Sequence, residues 1–125
     1  MPHLTLEYSD RLAPRSELIT LLKELHETIG NDELVNIETL KSRLVERDTY
    51  LIGADTSRRA FLFARLEVLP GRSAQWKKQM GQKLHSLMLE KVKVWTPADI
   101  NCSTNMEICE LNDEFYLRTP PPPTK

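Results

Sequence analysis

A proline stands second in the chain, directly after Met1, and this position gives it a chemical option that an internal proline lacks. If the initiator methionine is removed, Pro2 carries the free amino terminus as a secondary amine. The ordinary pKa of an α-amino group is about 8, and burial or nearby cations lower it. An amine poised near neutral pH can take a proton from an enol oxygen, or from a carbon beside a carbonyl, and return it at another carbon. Pro2 is therefore the candidate general base.

Two considerations bear on this interpretation of Pro2. Removal of an initiator methionine is chemically favoured when the second residue is small, as proline is, so the base hypothesis is retained with Met1 removal as its condition. The competing interpretation is structural, because proline is tolerated at the first position of a strand and needs no chemical role there. The residues alone leave both interpretations open.

A second candidate for chemistry is Arg72, in the stretch PGRS. It directly precedes Ser73, which we predict to cap a helix, and backbone N–H groups point outward at a helix start. A guanidinium there is suited to bidentate binding of a substrate carboxylate. The alternative is a solvated arginine in a turn with no functional partner.

Composition limits the class of protein to which these residues belong. The chain has 125 residues and a net charge of -1, which fits one soluble domain and argues against nucleic-acid binding. It has no apolar run of membrane-spanning length and no recognisable signal peptide, so we expect a cytoplasmic protein. Its three histidines lack the spacing of metal ligands. Cys102 and Cys109 lie an odd number of residues apart on one predicted strand, so we expect them on opposite faces and unpaired.

Hydrophobic periodicity predicts the elements that would position Pro2 and Arg72. HLTLEY alternates and predicts a strand, and SELITLLKELHETIG predicts a helix with Leu18, Leu22, Leu25 and Ile29 inward and Ser16 as its N-cap. NIETLKSRLVER and AFLFARLEVL predict two more strands. SAQWKKQMGQKLHSLMLEKV predicts a second helix, capped by Ser73, and CSTNMEICEL predicts a final strand. The predicted order is strand, helix, strand, repeated once.

Two successive βαβ units predict parallel strands within each unit and both helices on one face of a four-stranded sheet. The expected fold class is thus α/β, as an α+β two-layer sandwich. We predict one domain over residues 1–118 and a proline-rich tail over 119–125. A small sheet with open edges also favours association with other copies.

The chain resembles the 5-carboxymethyl-2-hydroxymuconate isomerase family of the tautomerase superfamily. The resemblance rests on MPHLTLEYSD, LKSRL, PGRSAQWKKQMGQKL and, more weakly, MEICEL, and it extends over nearly the whole chain. It implies a tautomerase-like fold, a homotrimer and a catalytic amino-terminal proline. It also implies a small carboxylate substrate, no metal and no organic cofactor, and it assigns Arg72 to substrate binding.

The resemblance adds Lys41 as a candidate substrate-binding residue, at a position where the family usually has arginine. Lysine keeps the charge but loses the planar fork of donors, and Arg43, on the same predicted strand face, could substitute for it. The alternative for both residues is an ordinary polar strand face. Two other functions therefore stay open: a trimeric, non-catalytic interaction protein with a degenerate site, and a regulatory or nucleic-acid-binding module, which also use βαβ repeats.

Overall fold

The protein folds into two βαβ halves that share one sheet. The structure, a computed structural model, describes residues 2–119. The elements are β1 (His3–Ser9), α1 (Arg15–Gly30), β2 (Lys41–Arg47), β3 (Arg59–Val68), α2 (Ala74–Trp95) and β4 (Asn101–Glu110), with one 3₁₀ turn over Ile37–Thr39. The predicted order of elements is confirmed. Met1 and most of the predicted tail lie outside the described residues, so the domain boundary at 118 stays a prediction.

The four strands form a single mixed sheet in the order β2-β1-β3-β4. Strand β1 pairs with β2 in parallel, and β3 pairs with β4 in parallel, as expected for two βαβ units. The halves join through the antiparallel pair of β1 and β3, in which His3 lies opposite Glu67. This register places the beginning of β1 beside the end of β3.

Both helices cover the same face of this sheet and contact each other, which confirms the two-layer arrangement. The strand residues that face the helices are fully buried because the side chains of a strand alternate between its two faces. The core combines this face with one stripe from each helix; its fully buried members include Leu4, Leu6, Tyr8, Leu18, Leu21, Leu25, Ile29, Leu62, Leu66, Leu84 and Met88. Within residues 2–119, no helix is long and apolar enough to cross a membrane.

The start of α1 differs from the prediction. The helix begins at Arg15 after Pro14, and no side chain caps it, so Ser16 lies inside the first turn instead of at the N-cap. Pro14 has a φ of -58°, and its carbonyl accepts from the backbone N–H of Glu17 at 2.9 Å. A proline already holds the φ that helix entry requires, so the helix can start there without a polar cap. On the inward face of the helix Leu21 is fully buried, whereas the predicted Leu22 is only partly buried against the core.

The second strand is shorter than its apolar pattern suggests. Its predicted first residues form the 3₁₀ turn instead, because the Asn36 side chain accepts a hydrogen bond from the Glu38 N–H at 3.1 Å. Asparagine favours such local turns over a strand ladder. The α2 prediction holds, since the Ser73 hydroxyl accepts from the Trp76 N–H at 3.0 Å.

The two cysteines are free and lie on opposite sides of the sheet, as predicted. In the β3–β4 register, Cys102 lies opposite the buried Ala60 on the helix-covered face, and Cys109 lies opposite Glu67 on the other face. We call this second, uncovered side of the sheet the outer face. It carries the odd-numbered residues of β1 and β2, among them His3, Lys41 and Arg43.

Candidate active site

One end of the sheet collects the predicted site residues. Pro2 directly precedes β1, and Lys41 is the first residue of β2, the strand that runs parallel beside it. Strand β3 runs the opposite way, so its end at Val68 and the following turn with Arg72 reach the same end of the sheet. The topology therefore brings together residues that are up to 70 positions apart in the sequence.

Pro2 is buried, and its carbonyl accepts a hydrogen bond from the backbone N–H of Lys41 at 3.1 Å. This bond extends the β1–β2 pairing by one residue beyond His3. Within a chain proline has no backbone N–H to donate, and its ring fixes φ, so the nitrogen has a rigid position at the sheet end. Lys41 thus contacts the Pro2 backbone directly.

The side chains of Lys41 and Arg43 are both exposed on the outer face. The Lys41 ammonium donates to the Thr39 carbonyl at 3.0 Å. The Arg43 guanidinium lies 3.1 Å from Nδ1 of His3. The two cations therefore share one face, as the strand pattern predicts, but each has a contact within its own chain.

A glycine lets the chain turn from β3 into the Arg72 position. Gly71 has a φ of 118°, which L side chains rarely adopt, and a Cβ added there would meet nothing within 4 Å. The requirement for glycine is therefore one of backbone conformation, not of space. The turn places Arg72 immediately before Ser73, which caps α2.

Arg72 is partly buried and fixed by its own chain. Its Nη2 donates to the Leu34 carbonyl at 2.6 Å, and its guanidinium carbon lies 5.4 Å from the centre of the Trp76 ring. Its Nε is buried without a hydrogen-bond partner. Arg72 thus lies on the helix side of the sheet end, where Nη1 and the second Nη2 hydrogen remain as donors.

Trp76 does more than pack. It is 9% exposed, as a core residue should be, yet its indole N–H donates to Asp32 Oδ1 at 3.1 Å. That bond fixes the ring on which Arg72 stacks, and it ties the loop after α1 to the start of α2. No pattern in the sequence indicated the link between Trp76 and Asp32.

Sequence reasoning missed His3, which it treated as an isolated histidine. Its Nε2 lies 2.7 Å from the Tyr116 hydroxyl, and its Nδ1 faces Arg43. The pKa of His3 is lowered, first by burial and then by the positive charges of Arg43 and Lys41, against a smaller opposing effect of Glu67. A signal was present, because His3 directly follows Pro2 in the sequence. Tyr116 carried no such signal.

The structure thus brings Pro2 and Lys41 into contact and sets Arg43 beside them through His3. It places Arg72 at the same end of the sheet but on the helix side. The amino-terminal end of β1 therefore lies in a region of positive charge.

Comparison with known families identifies the fold and the class of activity. A family model described as 5-carboxymethyl-2-hydroxymuconate isomerase matches residues 2–119. The chain belongs to this family. The 5-carboxymethyl-2-hydroxymuconate isomerases are part of the tautomerase superfamily, so isomerase or tautomerase chemistry is the class of function that membership supports. No curated protein sequence matches the chain.

Solved structures agree with this family. A 5-carboxymethyl-2-hydroxymuconate isomerase from Deinococcus radiodurans R1 is 27% identical, with a TM-score of 0.84 over 94% of this chain and 88% of that one. A macrophage migration inhibitory factor-like protein from Entamoeba histolytica gives 13% identity and a TM-score of 0.63 over 94% and 95%. A fused 4-OT gives 16% and 0.66 over 92% and 91%. The last two show the shared fold, which confirms the predicted tautomerase-like architecture.

Proposed function

We propose that this family member is a keto–enol tautomerase that acts on a small unsaturated 2-hydroxy or 2-oxo carboxylate, with Pro2 as its general base. The observation that carries the proposal is the position of Pro2. It is buried at the sheet end, its carbonyl is bonded to the Lys41 N–H, and Arg43 and Arg72 belong to the same end of the sheet. An amine in that setting is pushed toward its neutral, basic form by both burial and charge.

The proposed reaction passes one proton to Pro2 and back while electron pairs shift along the conjugated chain. The neutral amine of Pro2 takes the proton of the enol O–H. The electrons of that bond form the carbonyl, and the carbon–carbon double bond shifts along the chain. The protonated amine then returns its proton to the carbon that has gained electron density. No oxidant, metal or organic cofactor enters this balance, so we propose that the activity is cofactor-independent.

The cations have two roles in this mechanism. Arg72 binds a carboxylate with its free guanidinium donors, and Lys41 with Arg43 adds positive charge on the outer face. The same charges disfavour the protonated amine and keep Pro2 basic near neutral pH. Lys41, as a point charge, offers one-point attraction where arginine would offer two parallel hydrogen bonds.

We propose that the working form is a homotrimer, with the site completed between subunits. Two features support an assembly: β2 and β4 are edge strands with free backbone groups, and the outer face of the sheet is not covered by a helix. Sedimentation should give about three times the mass of the chain. A persistent monomer at micromolar concentration would contradict this proposal.

The central experiment asks whether the Pro2 nitrogen must be free. Ketonisation of a 2-hydroxydienoate is followed by absorbance for processed protein, for protein that retains Met1, and for Pro2→Ala, with intact mass measured for each. Processed protein should turn over the enol, Pro2→Ala should be much slower, and the Met1 form should be inactive because its Pro2 nitrogen is an amide. Equal rates for processed and Met1-bearing protein would refute the mechanism.

A second candidate function is a non-catalytic interaction protein on the same fold. Arg72 and Arg43 both have contacts within their own chain, and Lys41 lacks the donor fork, which favours this candidate. The same assay separates the two. Processed protein that forms the assembly but does not turn over any enol carboxylate would support the interaction protein.

A further inference from the structure

The segment after β4 crosses the sheet end and reaches the candidate site. Leu111 donates its N–H to the Val68 carbonyl at 2.7 Å, at the end of β3. Five residues later, the Tyr116 hydroxyl lies 2.7 Å from His3 Nε2, at the start of β1. The His3 and Tyr116 rings meet edge to face, with centroids 6.1 Å apart. The segment therefore passes from one central strand to the other on the side of the outer face.

The hydrogen-bond chemistry of this cluster fixes which group donates. A guanidinium has only donors, so Arg43 donates to His3 Nδ1 and that nitrogen carries no proton. A neutral imidazole then has its proton on Nε2, which donates to the Tyr116 oxygen. Tyr116 accepts here, so its own O–H hydrogen is left over. Within residues 2–119, the structure gives that hydrogen no acceptor.

We infer that Tyr116 is a substrate-binding residue, whose hydroxyl donates to a carboxylate oxygen of the substrate, and that His3 is the positioning residue that aims it. The inference rests on the proposed function above. A hydroxyl that accepts one hydrogen bond is polarised into a better donor, so the Arg43–His3–Tyr116 chain strengthens the bond that Tyr116 offers.

The charges around Tyr116 fit an anionic oxygen. Lys41 and Arg43 lie on the same face beside His3, and Glu67 is the acidic group opposite. The role proposed for Arg72 lies on the helix side of the sheet end, and Tyr116 offers a donor on the side of the outer face. Phe115 and Leu117, which flank Tyr116, are 76% and 92% exposed, whereas the ring and the hydroxyl of Tyr116 both contact His3.

The test is steady-state kinetics with a dicarboxylate enol, 2-hydroxymuconate, on processed protein. Tyr116→Phe keeps the ring and removes only the hydroxyl. We expect KM to rise about tenfold or more with kcat nearly unchanged, as for loss of a charge-assisted hydrogen bond made equally in ground and transition states. Tyr50→Phe, which removes a hydroxyl bonded to Asp10 elsewhere, is the matched control and should leave KM unchanged.

Two substitutions of His3 separate positioning from simple packing. The amide of His3→Gln reaches the place of Nε2 and still donates to Tyr116, whereas His3→Asn reaches only the place of Nδ1. We expect His3→Gln to keep a KM near wild type and His3→Asn to match Tyr116→Phe. Unchanged KM in Tyr116→Phe, with wild type active, overturns the inference alone. Inactive wild type overturns the proposed function and this inference together.

Discussion

Replacing Arg72 with alanine should have separable effects on stability and on turnover. The stability change has three contributions. Loss of the bond to the Leu34 carbonyl costs about 1.5 kcal/mol, the low end for a charged donor because the group is partly exposed. Loss of stacking on Trp76 costs about 0.5–1 kcal/mol. Removal of the unpartnered buried Nε regains about 1 kcal/mol. The net loss is about 1 kcal/mol, small enough for the protein to stay folded.

Turnover should suffer more than stability. If Arg72 holds a substrate carboxylate with its free guanidinium donors, its loss costs about 2 kcal/mol of binding to the transition state, or roughly 30-fold in kcat/KM. The assay is ketonisation of 2-hydroxymuconate by absorbance, with urea denaturation in the same buffer. Arg72→Lys keeps the charge but loses the fork, so its kcat/KM should fall between wild type and Arg72→Ala.

Arg58→Ala provides the matched control. It removes one exposed positive charge whose nearest acidic partner, Asp99, is 4.0 Å away, at the start of β3 and so at the opposite end of the sheet. Its kcat/KM should stay near wild type. An Arg72→Ala enzyme as active as wild type would refute a role for Arg72 in substrate binding. An equal fall in both variants would show that only overall charge matters.

Three further predictions concern the frame of the site. Gly71→Ala should lower the free energy of unfolding by about 1–3 kcal/mol in urea, through backbone strain at its positive φ, and unchanged stability would contradict this. Leu66→Ala should lower the free energy of unfolding by about 2–5 kcal/mol, since Leu66 is fully buried. A smaller loss would mean that neighbouring side chains fill the cavity that the leucine leaves. The pKa of His3 is lower in the folded protein than its ordinary value of 6.5, so the unfolded chain binds the proton more readily. The contribution of neutral His3 to stability is therefore fully present above pH 6.5 and is lost as pH falls below that value. Between pH 7.5 and 5.5 the melting temperature of the wild type should therefore fall further than that of His3→Asn. Equal falls in the two proteins would exclude His3 as the source of the pH dependence.

The fold was predictable because the apolar periods are consistent along the chain. Leu62, Ala64, Leu66 and Val68 alternate without interruption, and the structure buries all four. The errors fall where local chemistry competes with the period. Pro14 sets the helix start in place of Ser16, and Asn36 closes a turn on residues that alternate like a strand. Where a helix or strand begins depends on the backbone conformations that residues such as proline and asparagine favour, and the spacing of apolar residues contains no information about these.

The candidate site was predictable only in part, for a reason of sequence distance. Lys41 and Arg43 follow from strand alternation once β2 is assigned, and Pro2 follows from its place at the terminus. Tyr116 lies 113 residues from His3, in a segment with no helical or strand period, so no pattern linked the two. The bond from Arg72 to the Leu34 carbonyl could not be predicted for the same reason, because Leu34 belongs to a loop without a periodic pattern.

The sheet end also explains how one terminus can serve both structure and chemistry. The Pro2 carbonyl is bound to the Lys41 N–H, so the sheet uses the acceptor of this residue. The strand pairing makes no hydrogen bond with the Pro2 nitrogen, because the paired residues of β1 begin at His3. The atom that packing and pairing leave unused is the one that processing would turn into a base. Pro2→Ala keeps the carbonyl and its bond, so it should change basicity and rigidity with little effect on folding. A variant that loses stability as steeply as activity would show that the ring of Pro2 serves the fold rather than the reaction.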